Sequence, residues 1–376
     1  MFLKQSAVML GGLSALTLAV QSALAQTIEP SKVPAEDTAA AFVDPNWQVP
    51  RTSWGHPNLE GVWTTDDMQS VPRDRPEEFG TREKLTAEEF AERAEADARR
   101  WYRILHEEQY SANSVGSRTF GWTSQVIDPP DGRMPPLNEK GLARMSLTDR
   151  GTYGPGPFKR FEDHHLYDRC ITRGILGSTF PVIYGNGMRI VQSPTTVAIS
   201  YEMLPDTRVI RLDGRPALQD NVRQYMGSSR GYWDGDTLVI ETTNLTDKTS
   251  IGGNGIGSRH SEAMKLTERL TRVDPDMILY IATVDDPDTY TQPWTIRLML
   301  TSQPNYEIFE YSCHEGNRGV SGALGGERIY EEQVVKALAN GEPLPPRVIV
   351  DDAGVRREAL PDDESVFLDV NRGDVN

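Results

Sequence analysis

The chain has 376 residues, 55 acidic side chains against 39 basic ones, a net charge of -16 and 38% apolar residues. That apolar share is ordinary for a globular protein and excludes a wholly disordered chain. The acidic surplus, unbroken by any Lys/Arg stripe, excludes nucleic acid as a partner and disfavours an anionic membrane surface.

Taken in chain order, the first segment is an address. Met1 to Lys4 gives a positive start, Ala7 to Val20 an apolar stretch, and Ala23-Leu24-Ala25 an A-x-A cleavage site. The stretch is shorter than the roughly 20 residues that a membrane span needs. Residues 1–25 therefore read as a signal peptide and the mature protein as exported, periplasmic or secreted, with no membrane span. Residues 26–160 form an N-terminal extension rich in Pro, Gly and charge, with one helix over about 87–108. Thr86 and Glu89 make a capping box, Leu85 can staple onto Phe90, and Phe90, Ala94, Ala98, Trp101 and Leu105 recur at helical spacing.

Period-two patterning takes over from Gly185 to Cys313 within a barrel domain assigned to 161–326. Val197, Ile199, Tyr201 and Met203 alternate with wetter residues, and Leu204-Pro205-Asp206-Thr207 and Trp233-Asp234-Gly235-Asp236 supply turns. Trp294, Ile296, Leu298 and Leu300 share a face, and Tyr306 to Ser312 closes the series. The expected fold is mainly β, an antiparallel meander closed into a lipocalin-like barrel, because closure removes exposed edges. Residues 327–376 supply a helix over Glu327 to Ala339 and an irregular acidic tail.

In an exported protein Cys170 and Cys313 are expected to form a structural disulfide worth about 4–5 kcal/mol in the chain-entropy account. The alternative is a catalytic thiolate beside His314. Motifs for zinc proteases, EF-hands, P-loops and serine hydrolases are missing from the sequence. Gly252 to Gly257 has no following helix to hold a pyrophosphate, and reads as a flap over the barrel mouth.

Three constellations remain. The first runs from Asp163-His164-His165 through Tyr167, Asp168 and Arg169 to Arg173, with the two histidines directed to opposite sides. The second is His260-Ser261-Glu262, followed by a strand whose apolar face of Met264, Leu266 and Leu270 carries Glu268. A carboxylate there is either catalytic or held in a buried salt bridge with an arginine. The third is Cys313-His314-Glu315-Gly316-Asn317, where His314 either shares strand parity with Glu310 as an acid–base pair or is a solvated loop histidine.

Five stretches carry a resemblance in combination: Trp54-Gly55-His56-Pro57-Asn58-Leu59-Glu60-Gly61-Val62-Trp63, Tyr167-Asp168-Arg169-Cys170, Gly231-Tyr232-Trp233-Asp234-Gly235-Asp236-Thr237-Leu238, Asp285-Asp286-Pro287 with Pro293-Trp294, and Cys313 to Asn317. Together they resemble a widespread family of exported bacterial proteins usually described as hypothetical. The family pattern includes a His-Ser-Glu run and a Glu-Arg pair, matched by His260 to Glu262 and Glu268-Arg269, whereas the doubled His164-His165 departs from it. No activity follows from the resemblance.

The functional expectation is an exported, cofactor-independent enzyme, lyase or hydrolase, acting on a small plant-derived aromatic or carbohydrate. His260 serves as general base or acid with Glu268 beside it, and His165 and His314 polarise the substrate. Arg173, Tyr167, Arg230, Glu262 and Trp294 bind it, and no metal is assigned. The rival readings are a non-catalytic ligand-binding barrel, signalled by wide separation of His260, Glu268, His165 and His314, and a metal-dependent hydrolase.

Overall fold

A computed structural model describes residues 47–106, 118–148, 158–253, 257, 259–302, 306–350 and 356–359. Residues 1–25, which read as a signal peptide, and positions 254–256 of the Gly252–Gly257 loop lie outside these residues. Ten strands form one curled half-barrel sheet, in the order β1-β3-β4-β5-β6-β7-β8-β9-β10-β2. They are β1 (Gly61–Trp63), β2 (Val126–Asp128), β3 (Met188–Ser193), β4 (Thr196–Tyr201), β5 (Thr207–Arg211), β6 (Ser228–Asp234), β7 (Thr237–Thr243), β8 (Lys265–Asp274), β9 (Met277–Asp285) and β10 (Trp294–Thr301).

Most neighbours are antiparallel, as the turn signals imply, but β5 and β6 run parallel through Ile210↔Ser229 and Arg211↔Arg230. The meander is therefore not uniform. A long connection between Arg211 and Ser228 carries the chain back to the end where β5 began, which a parallel pair requires. Both edge strands come from residues before 160, β1 pairing with β3 and β2 with β10. Thr64 at the end of β1 also exchanges two backbone hydrogen bonds with Thr301 at the end of β10, each 2.8 Å long. Tyr306 to Ser312 carries no strand among the described residues, so the parity argument pairing Glu310 with His314 fails. Its backbone is held instead by contacts such as Phe309 N–H to Glu202.

Strand register places Ile199, Ile210, Ile240, Leu270, Tyr280 and Leu298 on the concave face, all buried. Against it lies the segment leading into α3 (Ile175–Thr179), whose Ile175, Leu176 and Phe180 join the same apolar core. All eight residues of β10 are buried, because β2 and the residues before it cover the outer face. There the Arg297 guanidinium sits 4.3 Å from the Trp122 ring centre.

The remaining helices are α1 (Ala87–His106), α2 (Glu139–Thr148) and α4 (Gly319–Asn340). Helix α1 starts at the expected capping box, with Thr86 N–H donating to Glu89 and Glu89 N–H to the Thr86 hydroxyl. Its docking line is more polar than the apolar spacing suggests. Arg93 donates to the carbonyls of Phe120 and Trp122, and buried Asp97 accepts from Ser70 and Thr119, whereas Ala98 is exposed. Helix α4 begins eight residues before the expected Glu327 and ends at Gly341, whose φ of 65° suits a glycine cap. The tail is not wholly irregular: β11 (Arg347–Val350) and β12 (Arg356–Ala359) pair as an antiparallel hairpin.

Candidate functional site

The disulfide between Cys170 and Cys313 is formed, so the thiolate alternative for these residues falls away. It joins the segment before α3 to the segment after β10, and Asn317 reinforces the joint by donating to the Asp168 carbonyl at 2.8 Å. His314 next to it is exposed.

His164 and His165 diverge as an extended chain dictates. His164 stacks on Phe158 with ring centres 4.4 Å apart. His165 turns inward, where its Nδ1 accepts the Tyr167 backbone N–H at 3.4 Å and its Nε2 meets the Ser250 hydroxyl at 2.9 Å. Since Nδ1 accepts, the proton sits on Nε2 and Ser250 is the acceptor. Burial, with a smaller contribution from Arg259, pushes the His165 pKa down to about 3.

The neighbouring Thr249 makes the complementary arrangement with His260. His260 Nδ1 lies 3.0 Å from the Ser261 carbonyl, which can only accept, so Nδ1 carries the proton. The bare Nε2 therefore receives the Thr249 hydroxyl. Burial lowers the His260 pKa and keeps the ring neutral near pH 7. Asp286 fixes the next residue, accepting the Ser261 N–H at 2.7 Å and its hydroxyl at 2.5 Å. Two buried imidazoles with opposite tautomers thus meet two consecutive hydroxyls. Beside them Ile175, Leu176, Leu245, Ile251 and Met264 help to line a cavity of about 10 Å³, room for one water.

The other expected site residues go elsewhere. Glu268, 0% exposed, binds Arg208 through both oxygens, and the Tyr280 hydroxyl donates to it at 2.9 Å. This is the buried salt bridge with an arginine, tying β5 to β8 across the hollow of the sheet. Burial alone would lower the Arg208 pKa, but the Glu268 carboxylate outweighs it and holds the pKa above its ordinary value. Arg230 lies on the outer face beside Glu241, and Glu262 is exposed and paired with Arg223 at 2.9 Å. Trp294 is fully buried, edge-on to Tyr290. Arg173 is buried next to Tyr167 and is taken up below.

Sequence reasoning missed Thr249, Ser250, Arg208 and Tyr280, which no motif marks, and it gave no role to Asp286 although Asp285-Asp286-Pro287 stands out. Among the described residues no three His, Cys, Asp or Glu side chains converge to hold a metal ion, and no helix is long and apolar enough to cross a membrane. No family model and no curated protein matches the chain.

Proposed function

We propose that this protein is an exported, cofactor-independent acid–base enzyme, a hydrolase or lyase acting on a small aromatic or carbohydrate molecule. The observation that carries the reading is the Thr249–His260 pair. A hydroxyl donates to a neutral imidazole whose other nitrogen is anchored by a carbonyl, the nucleophile–base–orienter order of hydroxyl catalysis. The lowered pKa of His260 suits it to take a proton at Nε2 from Thr249, or from a group displacing Thr249, and to return it to the leaving atom. The Cys170–Cys313 disulfide supports an oxidising compartment, and the Thr64–Thr301 bridge supports closure toward a lipocalin-like barrel.

A panel of p-nitrophenyl esters and glycosides tests the reading. The expected result is that His260→Gln and Thr249→Ala keep the native circular dichroism and lose about 10²–10⁴ in kcat, the usual span for a positioned acid or base. Wild-type turnover by folded His260→Gln removes His260 from the chemistry. Incorporation of ¹⁸O from labelled water marks a hydrolase, and its absence from the product a lyase.

A second reading, a ligand-binding barrel without catalysis, draws on the dispersal of the expected catalytic set. Glu268 is committed to Arg208 and His314 is exposed, leaving only His165 and His260 near one another. Tight ligand binding without turnover by the intact protein favours it.

A further inference from the structure

Arg173 lies between the disulfide and α3 and is 1% exposed. Its Nη1 donates to the Gly185 carbonyl at 3.0 Å. Its Nε and Nη2 are buried and have no hydrogen-bond partner among the described residues. These two N–H groups share one edge of the guanidinium plane, the edge that meets both oxygens of a carboxylate side-on. A buried cation with such an edge unmet is unfavourable unless something completes it.

The protein answers this charge with phenols. Tyr167, Tyr311, Tyr184 and Tyr201 are the side chains with the strongest electrostatic influence on Arg173. The hydroxyls of Tyr167, Tyr184 and Tyr311 stand within hydrogen-bonding reach of one another, and all three rings are half-buried. Burial pushes the Arg173 pKa down to about 10, which leaves it charged at neutral pH. Burial also raises the pKa of Tyr167 and of Tyr311, so both keep their protons and can donate. The disulfide brings the two sides together, since Tyr167 precedes Cys170 and Tyr311 precedes Cys313.

We propose that Arg173, flanked by Tyr167, Tyr184 and Tyr311, is a binding site for a small carboxylate whose two oxygens accept the Nε and Nη2 protons. One cation among neutral donors matches a single negative charge on a planar group, whereas a phosphate dianion calls for a second cation. The flanking rings suit a carboxylate borne on an aromatic ring. The site stands independently of the Thr249–His260 chemistry, although the two are close: a β-carbon on Gly174 would lie 3.1 Å from Thr249 Cβ.

Calorimetric titration of the full chain with benzoate, benzamide and inorganic phosphate tests the proposal. Benzoate is expected to bind with one-to-one stoichiometry, and benzamide, the same shape without the charge, about tenfold or more weaker. Arg173→Lys, a point charge in place of the paired edge, is expected to weaken benzoate by about tenfold. Arg173→Met abolishes binding, Tyr311→Phe weakens it, and His260→Gln leaves it unchanged, so that loss of binding and loss of turnover are read separately. Circular dichroism checks the fold of each variant. Failure of the wild type to bind millimolar benzoate, equal binding of benzamide, tighter binding of phosphate, or undiminished benzoate binding by folded Arg173→Met each overturns the proposal.

Discussion

Among the buried arginines, two are treated in opposite ways. Arg208 meets Glu268 through two hydrogen bonds, and Tyr280 fills one of the remaining carboxylate positions. Arg173 has a single backbone carbonyl and an edge of two unmet donors among phenols. The first has its charge met within the chain by a carboxylate, with only its Nε left without a partner among the described residues, and it holds two strands together across the sheet. The second is incomplete among the described residues, and completion from outside is what distinguishes a site from a brace.

Breaking the complete pair is the severest way to test that contrast. Glu268→Gln leaves Arg208 charged and buried without its counterion, and urea unfolding is expected to show a loss of about 3–5 kcal/mol. Replacing both partners, Arg208→Met with Glu268→Met, is expected to recover most of it. Equal losses in the single and double variants would show that the pair is not the source of the effect.

Two buried groups whose pKa values are shifted by burial in opposite directions sharpen the comparison through pH. Asp66, buried among hydrogen bonds from Thr64, Asn186 and Gln69, has its pKa raised by burial to about 6. Its native form binds the proton more tightly than the unfolded chain does, so its contribution declines as pH rises from the ordinary carboxylate value through about 6. His165, at about 3, works the other way: the unfolded chain binds the extra proton, and stability falls as pH drops below 6.5. The two slopes oppose each other between about pH 4 and 6. Asp66→Asn removes one of them, and the acid-side loss of stability is expected to steepen by up to about 1.4 kcal/mol per pH unit. Denaturant midpoints measured at several pH values read this directly, and an unchanged slope refutes it.

The gentlest perturbation addresses the incomplete cation. Arg173→Met removes a charge that is in no ion pair among the described residues, and the apo protein is expected to gain about 1 kcal/mol in urea unfolding. A loss comparable to that of Glu268→Gln would make Arg173 a second brace.

Much of the sheet was legible because burial on one face writes period two into Met188–Gln192, Val197–Tyr201 and Lys265–Val273. The edge strands β1 and β2 were not, since three residues carry no period, and neither was the parallel β5–β6 pair, set by a long connection rather than by turn chemistry. The polar seam of α1 escaped for a related reason. Arg93 and Asp97 dock through long-range hydrogen bonds, which hydrophobic spacing does not register. In the site, a lone carboxylate on the apolar face of β8 announced Glu268, but the choice between catalysis and pairing depended on Arg208, sixty positions away in sequence. His260 and His165 were visible as rare titratable residues, and their hydroxyl partners Thr249 and Ser250 were hidden among many threonines and serines. Several of the shared stretches turn out to be joints of the fold: Leu59 and Trp63 are buried, Trp233 to Thr237 makes the β6–β7 turn, and Cys313 carries the bridge.

The placement of the two outermost strands also sets an order of assembly. β1 hydrogen-bonds to β3 and β2 to β10, yet both precede every other strand in the chain. β1 can pair as soon as β3 has been made, whereas β2, the second strand synthesised, waits for β10, the last strand of the sheet. Until β10 has emerged, Val126 to Asp128 has no ladder to join, and its unpaired backbone is a part of the nascent chain in need of protection.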